Sequence, residues 1–291
     1  MTDKNQNPTK QVESRETVFC DGLFKDKVVL ISGGATGLGK HAAEQFARLG
    51  ATLVICGRDA DRLNAAAEAL RKHGTRVIAQ PMTIRDPDQV SELMDVTWRE
   101  FGRLDVLINN AGGQFASPAL DIKPKGWNAV IDTNLNGTWY MMQAAAQRWK
   151  EHQQPGNIIN VVVVIWRGLP MVAHTCAARA GVIFLSKTVS VEWAPYNIRV
   201  NCLAPGTIKT DAFGYYNEAG QASFEQANPM KHAGTPTDIT EGITYLASDA
   251  SKYITGEVLN IDGGQQNWGD PWFGGRPEYF ELDYASARRV E

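Results

Sequence analysis

Cysteine is scarce in this 291-residue chain: Cys20, Cys56, Cys176 and Cys202 show no C-x-x-C spacing and fall far short of a disulfide scaffold. They read as reduced thiols or small buried apolar groups, and no metal site is expected of them. Neither sign of charge dominates. With 29 Lys+Arg against 32 Asp+Glu the net charge is -3, so the broad positive field that drives non-specific nucleic-acid binding is missing. Long apolar runs are missing too: no stretch approaches the roughly 20 residues that cross a bilayer, and the opening MTDKNQNPTK lacks the apolar core of a secretory leader. These absences together predict a cytoplasmic protein with a small-molecule partner, no nucleic acid and no membrane span.

What remains is an ordinary globular composition, 43% hydrophobic and 21% charged, with 27 glycines whose placement is the informative part. Residues 1–22 are polar and without period, which predicts a flexible N-terminal extension. Seven β-branched runs follow, over 27–32, 51–57, 76–82, 104–109, 157–165, 198–205 and 257–263. Most are continuously apolar, as parallel strands covered on both faces must be. Between them the spacing predicts helices over 40–49, 61–73, 127–150 and 177–193, and Asp86-Pro87 supplies an N-cap and a first-turn proline for another. This alternation predicts a single doubly wound α/β domain of Rossmann type over 23–264, with a seven-stranded parallel sheet and helices on both faces. Residues 265–291 hold Trp268, Trp272, Phe273, Tyr279, Phe280 and Tyr284, too aromatic for a disordered tail, and are expected to pack on a neighbouring subunit or roof a pocket.

The first strand runs into Ser32-Gly33-Gly34-Ala35-Thr36-Gly37-Leu38-Gly39 and then into a helix. A strand, a glycine-rich turn and a helix N-terminus are what a dinucleotide diphosphate requires, so Gly33, Thr36, Gly37, Leu38 and Gly39 are candidate cofactor contacts. At the end of the second strand stands Arg58, whose forked guanidinium suits a ribose 2'-phosphate and favours NADP(H) over NAD(H). Two other readings stay open there: Asp59 could itself reach the ribose, and Arg58 could be a solvated residue paired with Asp59 or Asp61.

With Asn109-Asn110-Ala111-Gly112, Thr133-Asn134-Leu135-Asn136-Gly137-Thr138 and NCLAPGTIKT over 201–210 in this order, the chain resembles the short-chain dehydrogenase/reductase family over about residues 23–264. The resemblance implies that Asn109, Asn110 and Gly112 border the adenosine and ribose, that Pro205, Gly206, Thr207 and Ile208 close on the nicotinamide carboxamide, and that Thr210 lies near the carboxamide or phosphates. It also implies a homotetramer and makes Asn134 a catalytic candidate.

Most family members carry a serine, a tyrosine and, four residues later, a lysine. Alignment puts Val163, Thr175 and Arg179 at those places. Arg179 can still hold ribose hydroxyls, whereas an unactivated threonine cannot act as a base near neutral pH. NAGGQFASP over 110–118, Lys125-Gly126-Trp127 and His174-Thr175-Cys176-Ala177-Ala178-Arg179-Ala180-Gly181 resemble the peroxisomal trans-2-enoyl-CoA and 2,4-dienoyl-CoA reductases; Trp166-Arg167-Gly168-Leu169-Pro170-Met171 resembles bacterial citronellol/citronellal dehydrogenases. Asn134, His174, Thr175 and Arg179 are then the catalytic candidates, with Trp166 and Arg167 nearby, and His174 reads equally well as a structural histidine. Tyr215 and Tyr216 are either proton donors or packing residues of a lid. Three functions follow: an NADP(H)-dependent reductase of an enoyl-CoA or similar lipid-like substrate, a dehydrogenase of a branched or terpenoid alcohol or aldehyde, or a dinucleotide-binding subunit without catalysis.

Overall fold

In the computed structural model, residues 17–210, 223 and 226–269 are described. Seven strands form one parallel sheet: β1 (Val28–Ser32), β2 (Thr52–Gly57), β3 (Val77–Pro81), β4 (Val106–Asn109), β5 (Gly156–Val161), β6 (Ile198–Pro205) and β7 (Val258–Ile261), in the order β3-β2-β1-β4-β5-β6-β7. The helices are α1 (Gly37–Arg48), α2 (Ala60–Arg71), α3 (Pro87–Phe101), α4 (Pro124–Ile131), α5 (Gly137–Glu151), α6 (Ala173–Glu192), α7 (Pro236–Ala247) and the single turn α8 (Gln265–Trp268). None of these is long and apolar enough to cross a membrane.

The apolar strands are buried on both faces, as their sequence requires. Val29, Ile31, Leu53 and Ile55 pack with Phe46 of α1, Leu63 and Leu70 of α2, and Ile239 and Ile243 of α7. Their strand neighbours Val28, Leu30 and Val54 point the other way, into Met94 and Trp98 of α3 and Met141, Met142 and Trp149 of α5. Helix α3 starts as its sequence predicts: the Asp86 carboxylate accepts from the Asp88 and Gln89 N–H groups, Pro87 fills the first turn, and Gly102 closes the helix at φ +69°.

Four elements differ most from the expectation, the first being β5, which stops at Val161 where a strand to 165 is predicted. The stretch read as one helix over 127–150 is two, because Asp132–Asn136 forms a π turn between α4 and α5. Within it the Asn134 carbonyl accepts from Thr138 Oγ1 one turn on at 3.0 Å and, across the fold, from Arg179 Nη1 at 3.4 Å. Helix α6 begins at Ala173, a turn earlier than expected, and carries His174 and Thr175 in its first turn. The capped α7, with Pro236 after a Thr235–Asp238 capping box, falls where no helix is predicted.

Because β1 lies between β2 and β4, the chain leaves the carboxyl ends of β1 and β4 in opposite directions, opening a crevice there. A row of short side chains crosses the sheet at that level, since Ser32, Asn109, Asn160 and Cys202 are register partners on β1, β4, β5 and β6.

The largest buried side chain, Trp149, donates from Nε1 to the Leu104 carbonyl at 2.6 Å, and a Cβ on Gly156 would run into its ring. Trp149→Ala should therefore cost about 3–5 kcal/mol through cavity formation and the orphaned carbonyl. Urea unfolding checks this, with the midpoint lowered and the slope unchanged.

Candidate active site

The loop after β1 is fixed by the loop after β4. Ser32 Oγ accepts from the backbone N–H groups of Asn110 (3.1 Å) and Ala111 (3.0 Å), while Asn110 Nδ2 donates to the carbonyls of Ser32 (3.1 Å) and Gly33 (3.3 Å). Gly33 stands at φ +69°, which a side chain would strain, and a Cβ on Gly39 would collide with the Gly33 carbonyl and the Asn110 amide. Thr36, the N-cap of α1, makes no side-chain cap bond, and the first turn carries no acidic residue. The N-terminal N–H groups and the positive end of the helix dipole therefore face the crevice uncompensated.

The crevice has two parts. A cavity of about 750 Å³ is lined by Gly33, Thr36, Arg58, Arg62, Asn110 and Gly112 among others. Asp59 is occupied within it: its carboxylate caps α2 through the Arg62 N–H at 3.0 Å and pairs with Arg62 Nε at 3.2 Å. Arg58, exposed at the cavity wall, has no ion pair among the described residues.

The second cavity, about 380 Å³, is lined by Leu38, Val161–Val164, Leu169 and Ile208 on its apolar side. Asn110, Asn134, Thr175, Arg179, Thr210 and Gln265 contribute polar groups. Arg179 is 7% exposed and has no carboxylate within ion-pair distance among the described residues; its Nη1 reaches the Asn134 carbonyl, and Nε has no partner. Loss of water pulls its pKa down to about 10, partly opposed by neighbouring Cys202. A buried cation with idle N–H donors at a cavity is suited to a ligand that brings its own acceptors, and ribose hydroxyls qualify. With the glycine turn and the bare helix N-terminus, these residues fit a nicotinamide dinucleotide.

The catalytic candidates occupy different depths. Thr175 lines the second cavity. His174 beside it is fully buried, lies edge-on to Phe115 at 4.5 Å, and does not line the cavity. Its Nδ1 accepts the Thr175 N–H at 2.8 Å and lies 3.3 Å from Thr175 Oγ1. Nδ1 is thereby the acceptor and the neutral ring carries its proton on Nε2. Burial holds the His174 pKa below its ordinary value, with the Phe115 backbone opposing the shift. Asn134 grips Gly113 on both sides, Oδ1 accepting from its N–H and Nδ2 donating to its carbonyl, each at 3.0 Å.

A family model described as "Enoyl-(Acyl carrier protein) reductase" matches residues 33–266. The chain belongs to the short-chain dehydrogenase/reductase family. Among curated relatives, a Bacillus subtilis (strain 168) protein named probable 2,4-dienoyl-CoA reductase is 37% identical over 86% of this chain and 99% of its own length. The peroxisomal 2,4-dienoyl-CoA reductase of Mus musculus is 35% identical over 85% of this chain and 86% of its own. Among solved structures, the citronellol catabolism dehydrogenase of Pseudomonas aeruginosa PAO1 superposes with a TM-score of 0.78 at 30% identity, covering 87% of this chain and all (100%) of that one.

In this short-chain dehydrogenase/reductase the second cavity gathers the three aligned positions. Val163, Thr175 and Arg179 all contribute to it, whereas no tyrosine or lysine among the described residues does. Pro205, Gly206, Ile208 and Thr210 line it together, and Gly206 is pressed against the Asp262 backbone so closely that a Cβ would clash. Trp166 stands half exposed outside it, and Arg167 donates from Nη1 to the Gly269 carbonyl at 2.8 Å. Tyr215, Tyr216 and the aromatic residues beyond Gly269 lie outside the described residues. Sequence reading missed Gln114, Leu169 and Gln265 as lining residues and Ser32 as the anchor of the loops. Only Ser32, next to the glycine turn, carried a positional signal.

Replacing Arg179 with methionine removes an uncompensated buried charge. Arg179→Met should leave the ligand-free protein at least as stable, by up to about 1–4 kcal/mol, yet weaken dinucleotide binding by about tenfold or more. Thermal unfolding with and without dinucleotide checks both signs.

Proposed function

We propose that the protein is an NADPH-dependent reductase of 2,4-dienoyl-CoA or closely related enoyl-CoA thioesters. The observation that carries this reading is the second cavity, whose lining holds Thr175 and Arg179 and, among the described residues, no tyrosine or lysine. Reversible alcohol oxidation needs a strong acid/base at the substrate oxygen. Reduction of a conjugated carbon-carbon double bond does not, because the proton goes to carbon while negative charge gathers on the thioester oxygen, where hydrogen-bond donors suffice. The names of the relatives from Bacillus subtilis and Mus musculus favour the same chemistry.

When bound, the dinucleotide supplies the hydride. Gly33, Thr36, Gly37, Leu38 and Gly39 would cradle its diphosphate at the N-terminus of α1, Arg179 would hold the nicotinamide ribose, and Asn110, Pro205, Gly206, Ile208 and Thr210 would complete its bed. Arg58 would take the 2'-phosphate. The Asp59 carboxylate is engaged by Arg62 and by capping α2, which supports NADP(H) over NAD(H). Asn134 would act on catalysis through Gly113, holding the loop that borders the cavity. His174 would act through Thr175, whose N–H and hydroxyl both meet its Nδ1. Phe184 and Val191, 63% and 75% exposed on α6, support a homotetramer in which that helix is covered.

The protein mixed with NADPH and 2,4-hexadienoyl-CoA, crotonyl-CoA or citronellal, followed by absorbance of the reduced nicotinamide, separates the readings. Turnover is expected with the dienoyl thioester. NADPH binding without turnover of any thioester overturns the proposal, and oxidation of citronellol with NADP in its stead points to the terpenoid dehydrogenase. Arg58→Ala should weaken NADPH by about tenfold or more and NADH by less than about twofold; equal losses in titrations of the two cofactors refute the assignment of Arg58.

A further inference from the structure

Gln265 begins α8 directly after Gly263 and Gly264, is 7% exposed, and lines the second cavity. Its Oε1 accepts two hydrogen bonds from Thr207, from the backbone N–H and from Oγ1, both at 3.1 Å. A backbone N–H can only donate, so the atom facing it must be the amide oxygen, and Nε2 is left as a donor of fixed direction. Nε2 has no partner among the described residues and is not among the sealed buried atoms. A side chain more than nine-tenths buried thus keeps an unused N–H pair in a cavity whose walls are largely valine, leucine and isoleucine.

We infer that Gln265 recognises the carbonyl oxygen of the acyl substrate and makes this cavity selective for acyl groups that carry one; the inference rests on the acyl-CoA reading above. The neighbouring polar groups do not serve that oxygen as well. The Thr175 hydroxyl lies 3.3 Å from His174 Nδ1, whose single lone pair already accepts the Thr175 N–H, and as a rotor it has no fixed donor direction of the kind the Gln265 amide has. Arg179 is assigned to the ribose. An apolar pocket with a neutral donor locked from behind binds a carbonyl without trapping a charged acid, and its donor is in place before negative charge gathers on the oxygen.

Gln265→Glu keeps the shape and leaves one oxygen to accept from Thr207, while the donor becomes a second acceptor. Calorimetry with the NADP complex would compare hexanoyl-CoA with S-hexyl-CoA, the thioether that lacks the carbonyl. Wild type should prefer the thioester by about tenfold or more. Near neutral pH Gln265→Glu should lose that preference to within about twofold, with NADPH affinity unchanged, and regain it as pH falls toward the carboxyl pKa of about 4.3 or somewhat above, because a protonated carboxyl donates again. Retention of the preference in Gln265→Glu, equal weakening of both ligands together with NADPH, absence of recovery in acid, or a wild type indifferent to the carbonyl each overturns the inference. Turnover of 2,4-hexadienoyl-CoA on the same preparation keeps the two readings apart. Carbonyl preference without turnover sinks the reductase reading alone, and turnover with a preference that survives Gln265→Glu sinks this one alone.

Discussion

The side chains that cross the sheet at the level where β1 and β4 end, from Ser32 through Asn109 and Asn160 to Cys202 within β6, hold the site together. Parallel strands end with backbone groups that no neighbour satisfies, and β1 and β4 end beside loops that must take a fixed path. Ser32 Oγ takes up the N–H groups of Asn110 and Ala111. Asn109 Nδ2 donates to Asn160 Oδ1 at 2.8 Å, Asn160 Nδ2 donates to Ser186 Oγ of α6 at 2.9 Å, and Cys202 Sγ donates to the same hydroxyl at 3.3 Å. The row thereby ties the strands to one another and to the helix that presents Thr175 and Arg179. Buried and hydrogen-bonded, it has little freedom to shift, so both cavities inherit its rigidity.

Against that fixed frame, the crevice is short of negative groups. The N-terminus of α1 has no acidic residue or side-chain cap, Arg58 has no ion pair among the described residues, and Arg179 is buried without a carboxylate. Of the three only the buried Arg179 is a local cost to the empty protein, since Arg58 is exposed to water, but all three face the same crevice although the chain as a whole carries a net charge of -3. A phosphate-rich ligand with ribose hydroxyls meets all of them at once. Affinity for such a ligand is, at Arg179, stored as instability in its absence, a common arrangement where a site must be both rigid and unsatisfied.

The strands were readable because burial on both faces leaves a run of apolar residues, and the glycine turn because close backbone approach leaves no alternative residue. Helix α3 was readable from Asp86 and Pro87 for the same local reason. The π turn over Asp132–Asn136 was not, since the apolar period on either side continues across it and the Asn134 carbonyl meets Arg179 from 45 residues away. Gln265 escaped notice for a similar cause: its partner Thr207 lies 58 positions earlier, and only the fold brings β6 and the turn after β7 together. His174 could be named from its place beside Thr175, but its depth, its acceptor nitrogen and its lowered pKa come from how Phe115 and α6 enclose it. Local chemistry was visible, and hydrogen bonds spanning the chain were not.

The contact between Gly112 and Arg179 reaches further than either residue alone. A Cβ at position 112 would fall on the guanidinium and press against Asn134 Oδ1 at 3.1 Å. The volume of one missing methyl is therefore occupied by the other residue's charge. A side chain at 112 would require the tip of Arg179 to leave its present position. The two sites should drift as a pair, and a lineage that exchanged Arg179 for a shorter group would be released from the glycine in the same step.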